Sequence, residues 1–260
     1  MTQRKVLFWI AILYFAEGLP FGIAYDVWPV FFRVLGVSLR EMGLMSLLSL
    51  PWTWKMLWAP FVDRWGARQH WITAALAVLG ATTLAIVPQD ASDPSWVMWG
   101  LLLLFTTASA TQDIAIDAYA VDVATPETTG SINGVRVSAA RIALLVGGGG
   151  FVFLADYTGW TVLWWVLAGM FFGLAALAWF SPRVPLEEST RRHAIGPVLR
   201  WAFRWEMLPV VAFILLYKLG DSTLGRMVKP FWVCLLYTSP SPRDNQPHLV
   251  CRLMLENRGG

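Results

Sequence analysis

Residues 111–123 read TQDIAIDAYAVDV and place carboxylates at Asp113, Asp117 and Asp122, directly after a run with almost no polar side chains. Asp113 and Asp117 are four residues apart, so they share one face of a helix. Burial opposes the ionisation of a carboxylate and a nearby Lys or Arg favours it, so a carboxylate held between these effects can load and release a proton. The spacing therefore indicates proton chemistry inside an apolar segment, with Asp122 solvated at its end.

Further ionisable residues fall at comparable depth in other apolar runs. They are Glu17, Lys55, Arg141, Lys218 and Asp221. A charged side chain within a bilayer usually faces a cavity or an opposite charge, so the set predicts a polar pathway through packed helices. Proton carriage and a fixed salt bridge that clamps helices, such as Asp113 with Arg141, remain alternatives for each residue. Gln112 could donate a hydrogen bond to a substrate or bond within the bundle.

The composition of the chain indicates that the ionisable residues lie in membrane-spanning segments. Hydrophobic residues make up 57% of the chain and charged residues 14%, whereas a soluble domain has about a quarter charged residues. The mean hydropathy of +0.54 also indicates a membrane protein. The net charge of +3 does not indicate nucleic-acid binding, because most basic residues fall in short loops between apolar runs.

Apolar runs long enough to cross a bilayer as helices recur along the chain. They cover about 6–32, 42–62, 70–88, 95–121, 132–155, 160–181 and 208–231. Helices are favoured over a β-barrel because the runs are long and do not alternate. The sequence therefore predicts an all-α membrane protein with a six-helix half at 1–181, a connector at 182–207 and the first helix of a second half at 208–233.

The loops differ in positive charge. One set contains Arg4, Lys5, Arg64, Arg68, Arg136, Arg183, Arg191, Arg192, Arg200 and Arg204, and the opposite set contains Arg33 and Arg40. Loops rich in Lys and Arg remain in the cytoplasm. The distribution predicts a multi-pass protein of the inner membrane with a cytoplasmic N-terminus and connector.

The composition changes abruptly near Val233. The stretch CLLYTSPSPRD at 234–244 resembles a translated sequencing adapter, so 234–260 is predicted to be a non-native tail and the chain a piece of a longer protein. Cys234 and Cys251, the two cysteines of the chain, both lie in this tail. Disulfide and cysteine–metal sites are therefore not predicted.

The stretch WAPFVDRWGARQHW at 58–71 carries a charged motif. Asp63, Arg64, Gly66 and Arg68 resemble the signature of the major facilitator superfamily between its second and third helices, although Ala59 and Gln69 depart from it. Such a cluster can latch the cytoplasmic face and break when two halves rock. A solvated loop that only sets topology is the alternative.

The proline kink, the small residues and the tryptophans can each be interpreted as structural or as functional. Glu17 lies beside Pro20, which predicts either a kink that opens a cavity or a packing kink with Glu17 paired to Lys55. Small residues at Ala139, Ala143 and Gly147 predict close helix packing. Tryptophans at 52, 54 and 58 could belong to an interfacial belt, and a few near Lys55 could stack on a sugar ring.

Several stretches together are similar to the AmpG-type permease family. They are GLP at 18–20, WKMLWAPFVDR at 54–64, TQDIAIDAYAVD at 111–122, RIALLVGGG at 141–149 and LLYKLGDS at 215–222. The resemblance implies a proton-linked importer of N-acetylglucosaminyl-anhydromuramyl peptides, monomeric when full length. Lys55, Asp113, Asp117, Arg141, Lys218 and Asp221 match the family pattern, and Glu17 departs from it. Acetyl-coenzyme A transporters share the signature and remain an alternative.

Two other classes of protein compete with a transporter. An intramembrane aspartyl protease needs two membrane aspartates, and KLGDS at 218–222 resembles its motif but lacks the first glycine of Gly-x-Gly-Asp. A non-transporting sensor or scaffold is the second class. No catalytic residues, cofactor or metal site are predicted. No nucleotide-binding loop is predicted either, because GGGG at 147–150 lies inside an apolar helix.

Overall fold

The structure is a computed structural model, which describes residues 2–38, 41, 45–89, 91, 94–182, 204, 209, 212, 213 and 216. The chain divides into two compact units, Met1–Arg192 and His193–Gly260, and every helix with described bounds lies in the first. Most of the predicted connector, most of the predicted helix at 208–233 with Lys218 and Asp221, and the predicted tail at 234–260 lie outside the described residues.

The regular secondary structure in the described part of the first unit is all helical, as the sequence predicts. Its helices are α1 (Gln3–Val34), α2 (Leu50–Trp54), α3 (Ala59–Arg64), α4 (Arg68–Ile86), α5 (Trp96–Val123), α6 (Thr129–Thr158) and α7 (Trp160–Trp179). Four of these described helices combine the length and the apolar character needed to cross a membrane, namely α1, α4, α6 and α7. Polar residues in the C-terminal half of α5 lower its hydropathy, although its 28 residues are long enough to span.

The predicted helix at 42–62 is not continuous. Short 3-10 turns at Met45–Ser49 and Lys55–Leu57 alternate with α2 and α3. Pro51 and Pro60 lie in the first turns of α2 and α3, where a missing N–H is tolerated because first-turn N–H groups have no partner within the helix. The prediction of one unbroken helix was wrong, since each proline favours a new helix start, and Lys55 lies at the resulting break.

Two π turns lie inside the long helices. Residues Ile23–Val27 form one in α1, three residues after Pro20, and residues Val146–Gly150 form the other in α6. The two π turns contact each other. Both helices therefore change register at the same level of the bundle.

Small residues bring α1 and α6 together. A Cβ added at Gly18 would lie 2.7 Å from the Ala143 Cβ, and one added at Gly22 would lie 2.7 Å from the carbonyl carbon of Gly147. Such distances leave no space for a side chain between the two backbones. The stripe that the sequence predicts for close packing therefore contacts α1.

We expect Gly22→Ala to lower the free energy of unfolding by about 1–3 kcal/mol, because overpacking a close contact forces the helices apart. Gly100→Ala in α5 is the matched control, since nothing lies within 4 Å of its added Cβ. There the alanine should stabilise the helix by about 0.5–1 kcal/mol. Thermal unfolding of both variants in the same detergent tests this, and equal shifts would contradict it.

Aromatic residues fill the core between α1, α5 and α7. The Phe105 ring lies 5.1 Å from the Trp28 ring and 5.9 Å from the Phe171 ring, measured between centroids. Phe31 contacts Trp164 at 5.1 Å in the same way. This packing fixes the rotation of α5 about its own axis, and so determines where its carboxylates lie.

Candidate functional site

Three carboxylates converge between α1 and α5. Oxygen atoms of Glu17, Asp113 and Asp117 all lie within 4.8 Å of one another. Asp113 is buried, whereas the side chain of Asp117 is 35% exposed. The four-residue spacing thus places both aspartates toward α1, and Glu17 joins them. We call this set, together with the cations described next, the carboxylate cluster.

Lys55 is the first cation of the carboxylate cluster. Its Nζ donates to Asp113 Oδ2 and lies 4.0 Å from Asp117 Oδ2. The helix break at 55–57 carries this side chain to α5. Among the described residues, no ion pair joins Lys55 to Glu17, so the alternative pairing is not formed.

Arg136 is the second cation, and sequence reasoning missed it. Its guanidinium lies 2.9 Å from Asp117 Oδ1 and 4.8 Å from the centroid of the Tyr14 ring. The Tyr14 hydroxyl donates to the same Asp117 oxygen at 2.9 Å. Arg136 was counted as a loop residue but lies within α6. Its position three residues before Ala139 and seven before Ala143 could have revealed it, because this spacing places it on the face that meets α1.

The predicted pair of Asp113 with Arg141 is not formed. Arg141 is exposed and makes no ion pair with any described residue. Arg136 and Arg141 are five residues apart, which is about 140° around a helix. Since Arg136 faces α1, Arg141 cannot, and the prediction chose the wrong arginine.

The charges of the carboxylate cluster do not balance. Three ionised carboxylates and two cations leave one net negative charge. Oxygen atoms of Glu17 and Asp113 lie within 4.8 Å of each other, and like charges this close repel each other unless one of the groups holds a proton. The Glu17 Oε2 atom is buried without a hydrogen-bond partner among the described residues. The arrangement therefore favours one proton bound within the cluster.

Gln112 points away from the carboxylate cluster. It is fully buried, and neither its Oε1 nor its Nε2 has a hydrogen-bond partner in the described part of the chain. It lies seven residues after Phe105, so both side chains share the face of α5 that meets the aromatic core. Of the two alternatives for Gln112, the structure favours a position within the bundle.

Lys55 and Asp113 can be tested as a pair. We expect Lys55→Gln to lower the free energy of unfolding by about 2 kcal/mol, because it leaves Asp113 buried beside two carboxylates without a cation. The effect is no larger because Lys55 itself is partly exposed to solvent. Adding Asp113→Asn should recover most of that loss. A double-mutant cycle on the purified protein measures the coupling, and additive effects of the two substitutions would contradict the pairing.

A second charged cluster lies where α3 and α5 end and α4 begins. Arg68 is buried, and its guanidinium lies 2.6 Å from Asp63 Oδ1 and 3.3 Å from Asp122 Oδ2. It also donates to the carbonyl of Val62 at 3.3 Å. The prediction that Asp122 is solvated was wrong, because α5 continues to Val123 and brings this carboxylate against the first residue of α4. We call Asp63, Arg68 and Asp122 the inner charge cluster.

The other residues of the motif lie in different environments. Arg64 is exposed and makes no ion pair among the described residues. Gly66 adopts a φ of +79° in the turn before α4, a conformation that favours glycine. Gln69 is buried and donates its side-chain amide to the carbonyl of Trp179 at the end of α7. The motif thus joins α3, α4, α5 and α7 rather than forming only a solvated loop.

The family model of the Major Facilitator Superfamily matches residues 8–238. Over 238 residues the chain is 28% identical to the anhydromuropeptide permease of Escherichia coli K12, covering 86% of this chain and 48% of the permease. It is 26% identical over 254 residues to transporter AmpG 4 of Rickettsia conorii, covering 89% of this chain and 61% of that protein.

An uncharacterized protein of Haemophilus influenzae is 29% identical over 235 residues, covering 84% of this chain and 55% of that protein. The chain therefore spans about half to three fifths of the length of these relatives. The family and the apolar helices point to a multi-pass membrane protein. The resemblance drawn from the motifs is confirmed: this chain belongs to the Major Facilitator Superfamily.

Proposed function

We propose that this chain forms the first half of a secondary transporter that imports anhydromuropeptides or a related solute together with protons. The observation that carries the proposal is the carboxylate cluster, which places three acids and two cations inside apolar helices with one unbalanced negative charge. Similarity to the anhydromuropeptide permease of E. coli supports the solute class. A site of this kind suits a carrier, because buried ionisable groups line ion and substrate paths in membrane proteins.

Protons and Lys55 compete for the same aspartate in this proposal. When Asp113 is ionised, Lys55 binds it and the two helical segments are held together. When a proton occupies Asp113, the lysine keeps only its 4.0 Å contact with Asp117 and becomes available to bind an anionic group of the solute. Alternating exposure of the cluster to the two sides of the membrane would then couple proton release to solute release.

The proposed orientation places the N-terminus in the cytoplasm of a cell whose inner membrane carries the protein. Removing Arg136 from the loop residues leaves Arg4, Lys5, Arg64 and Arg68 on the inner side, and the positive-inside rule still applies to them. The inner charge cluster then lies at the cytoplasmic face. We propose a monomer, with the solute and protons as its only small partners and no nucleic acid.

Uptake into proteoliposomes tests the proposed function. The complete transporter that carries this sequence is supplied with labelled anhydromuropeptide, and with acetyl-coenzyme A as the competing solute, with and without an inward proton gradient. We expect accumulation of the anhydromuropeptide only with the gradient, and no uptake by the 260 residues alone. Accumulation of acetyl-coenzyme A instead would contradict the proposed solute. Accumulation that does not depend on the gradient would contradict the proposed proton coupling.

A further inference from the structure

Three aromatic rings form a stack beside the carboxylate cluster. The Phe21 ring lies 4.4 Å from the Trp52 ring, with an angle of 25° between the planes. Tyr25 lies 5.9 Å from Trp52 at 28° and 6.1 Å from Phe21 at 5°. We call these rings the aromatic platform. The three near-parallel rings come from two separate segments, so the aromatic platform joins α1 to α2.

The aromatic platform is held in place but is not closed over. The indole Nε1 of Trp52 donates to Ser109 Oγ on α5 at 3.2 Å, which fixes the plane of that ring. Tyr25 is 57% exposed, and Phe21 and Trp52 are each only partly buried. A hydrogen-bonded ring whose neighbours remain accessible is suited to receive a ligand.

Two rings of the aromatic platform, and the serine that holds one of them, each lie about one helical turn from a charged residue of the carboxylate cluster. Phe21 follows Glu17 by four residues, Trp52 precedes Lys55 by three, and Ser109 precedes Asp113 by four. At 1.5 Å per residue, these offsets correspond to about 5–6 Å along a helix axis. A ligand of two or three ring widths could therefore contact the platform and the charges at once.

The depth of the platform argues against an interfacial belt. Phe21 and Ser109 lie near the middle of α1, which spans Gln3–Val34, and of α5, which spans Trp96–Val123. Aromatic belts occupy the two ends of a span, where the rings meet lipid headgroups. Rings at mid-depth beside charged groups instead match the composition of small-molecule sites, which combine apolar walls with a few polar groups.

We propose that Phe21, Tyr25 and Trp52 form the subsite for the sugar ring of the solute, a proposal that rests on the proposed function. The carbon-bound hydrogens on one face of a pyranose ring carry slight positive charge and suit the negative face of an aromatic ring. A sugar seated there directs its anionic or peptide substituent toward Lys55 and Arg136. The platform therefore selects a glycosylated solute over a free peptide.

The test compares Trp52→Leu with Trp54→Leu in the complete transporter. Trp54 is the matched control, since it is 56% exposed and stacks on no described ring. The probes are labelled anhydromuropeptide, the anhydro-amino-sugar without peptide and the peptide without sugar. We expect Trp52→Leu to weaken binding of both sugar-containing probes by roughly 10-fold or more. Trp54→Leu should leave their binding within about twofold of wild type, and Trp52→Phe, which keeps a ring, should retain most of it.

Each outcome separates the subsite from the proposed function. If Trp52→Leu and Trp54→Leu weaken the uptake of anhydromuropeptide equally, or if neither weakens it, the subsite is overturned. The proposed transport function is not affected by that result. Failure of the wild-type protein to bind the free amino sugar also overturns the subsite. Binding of the amino sugar that depends on Trp52, without uptake of anhydromuropeptide, supports the subsite and overturns the solute proposed for transport.

Discussion

We expect Asp113→Asn to abolish proton-driven accumulation, with the steady-state solute ratio falling to that of passive equilibration. Asparagine keeps the shape of the side chain but can neither bind nor release a proton, and it carries no charge for Lys55. The energy of the proton gradient then has no group through which to act. Accumulation against a concentration gradient in proteoliposomes measures the effect.

Counterflow distinguishes lost coupling from lost folding. Exchange of labelled for unlabelled solute needs binding and reorientation but no net proton movement, so Asp113→Asn should retain exchange while it loses accumulation. Asp156→Asn is the matched control, because Asp156 is an exposed carboxylate of α6 without an ion pair among the described residues. If Asp113→Asn accumulates solute as well as wild type does, Asp113 has only a structural role.

The second large effect concerns the inner charge cluster. We expect Arg68→Gln to lower the free energy of unfolding by about 3 kcal/mol, because breaking a buried ion pair leaves charge uncompensated. Arg68 is 6% exposed and contacts two carboxylates from different segments, so its loss leaves Asp63 and Asp122 repelling each other. Chemical or thermal unfolding in detergent gives the measurement.

Arg64→Gln provides the comparison for Arg68. The two arginines lie four residues apart in the same motif, but Arg64 is exposed, and surface substitutions usually change stability by less than about 0.5 kcal/mol. Equal destabilisation by both variants would contradict a specific role for Arg68. A stable Arg68→Gln protein would show that the motif only sets topology.

The convergence of carboxylates was predictable from the chain itself. An i, i+4 pair of aspartates in an apolar run must face something polar, and Glu17 and Lys55 are rare charges in equally apolar surroundings. Spacing and hydropathy therefore predicted both the membrane bundle and most members of the carboxylate cluster. The motif at 63–68 predicted the superfamily to which the chain belongs.

What could not be predicted depends on rotation about helix axes and on breaks within segments. Choosing Arg136 over Arg141 requires the face of α6 that meets α1. Arg136 was grouped with the loop cations although the predicted run at 132–155 already contained it. The break at Lys55–Leu57 depends on two prolines that each start a helix, whereas hydropathy alone shows one apolar run. Asp122 was misjudged because its partner starts a different helix.

The odd number of charges in the carboxylate cluster has an electrical consequence. With a proton bound the cluster is neutral, and without one it carries a single negative elementary charge near mid-depth. A voltage of 100 mV across the whole bilayer corresponds to about 2.3 kcal/mol per elementary charge. In the proposed transporter, an interior-negative potential would therefore drive the unprotonated site outward while leaving the protonated site unaffected, so voltage would assist the return step of the cycle.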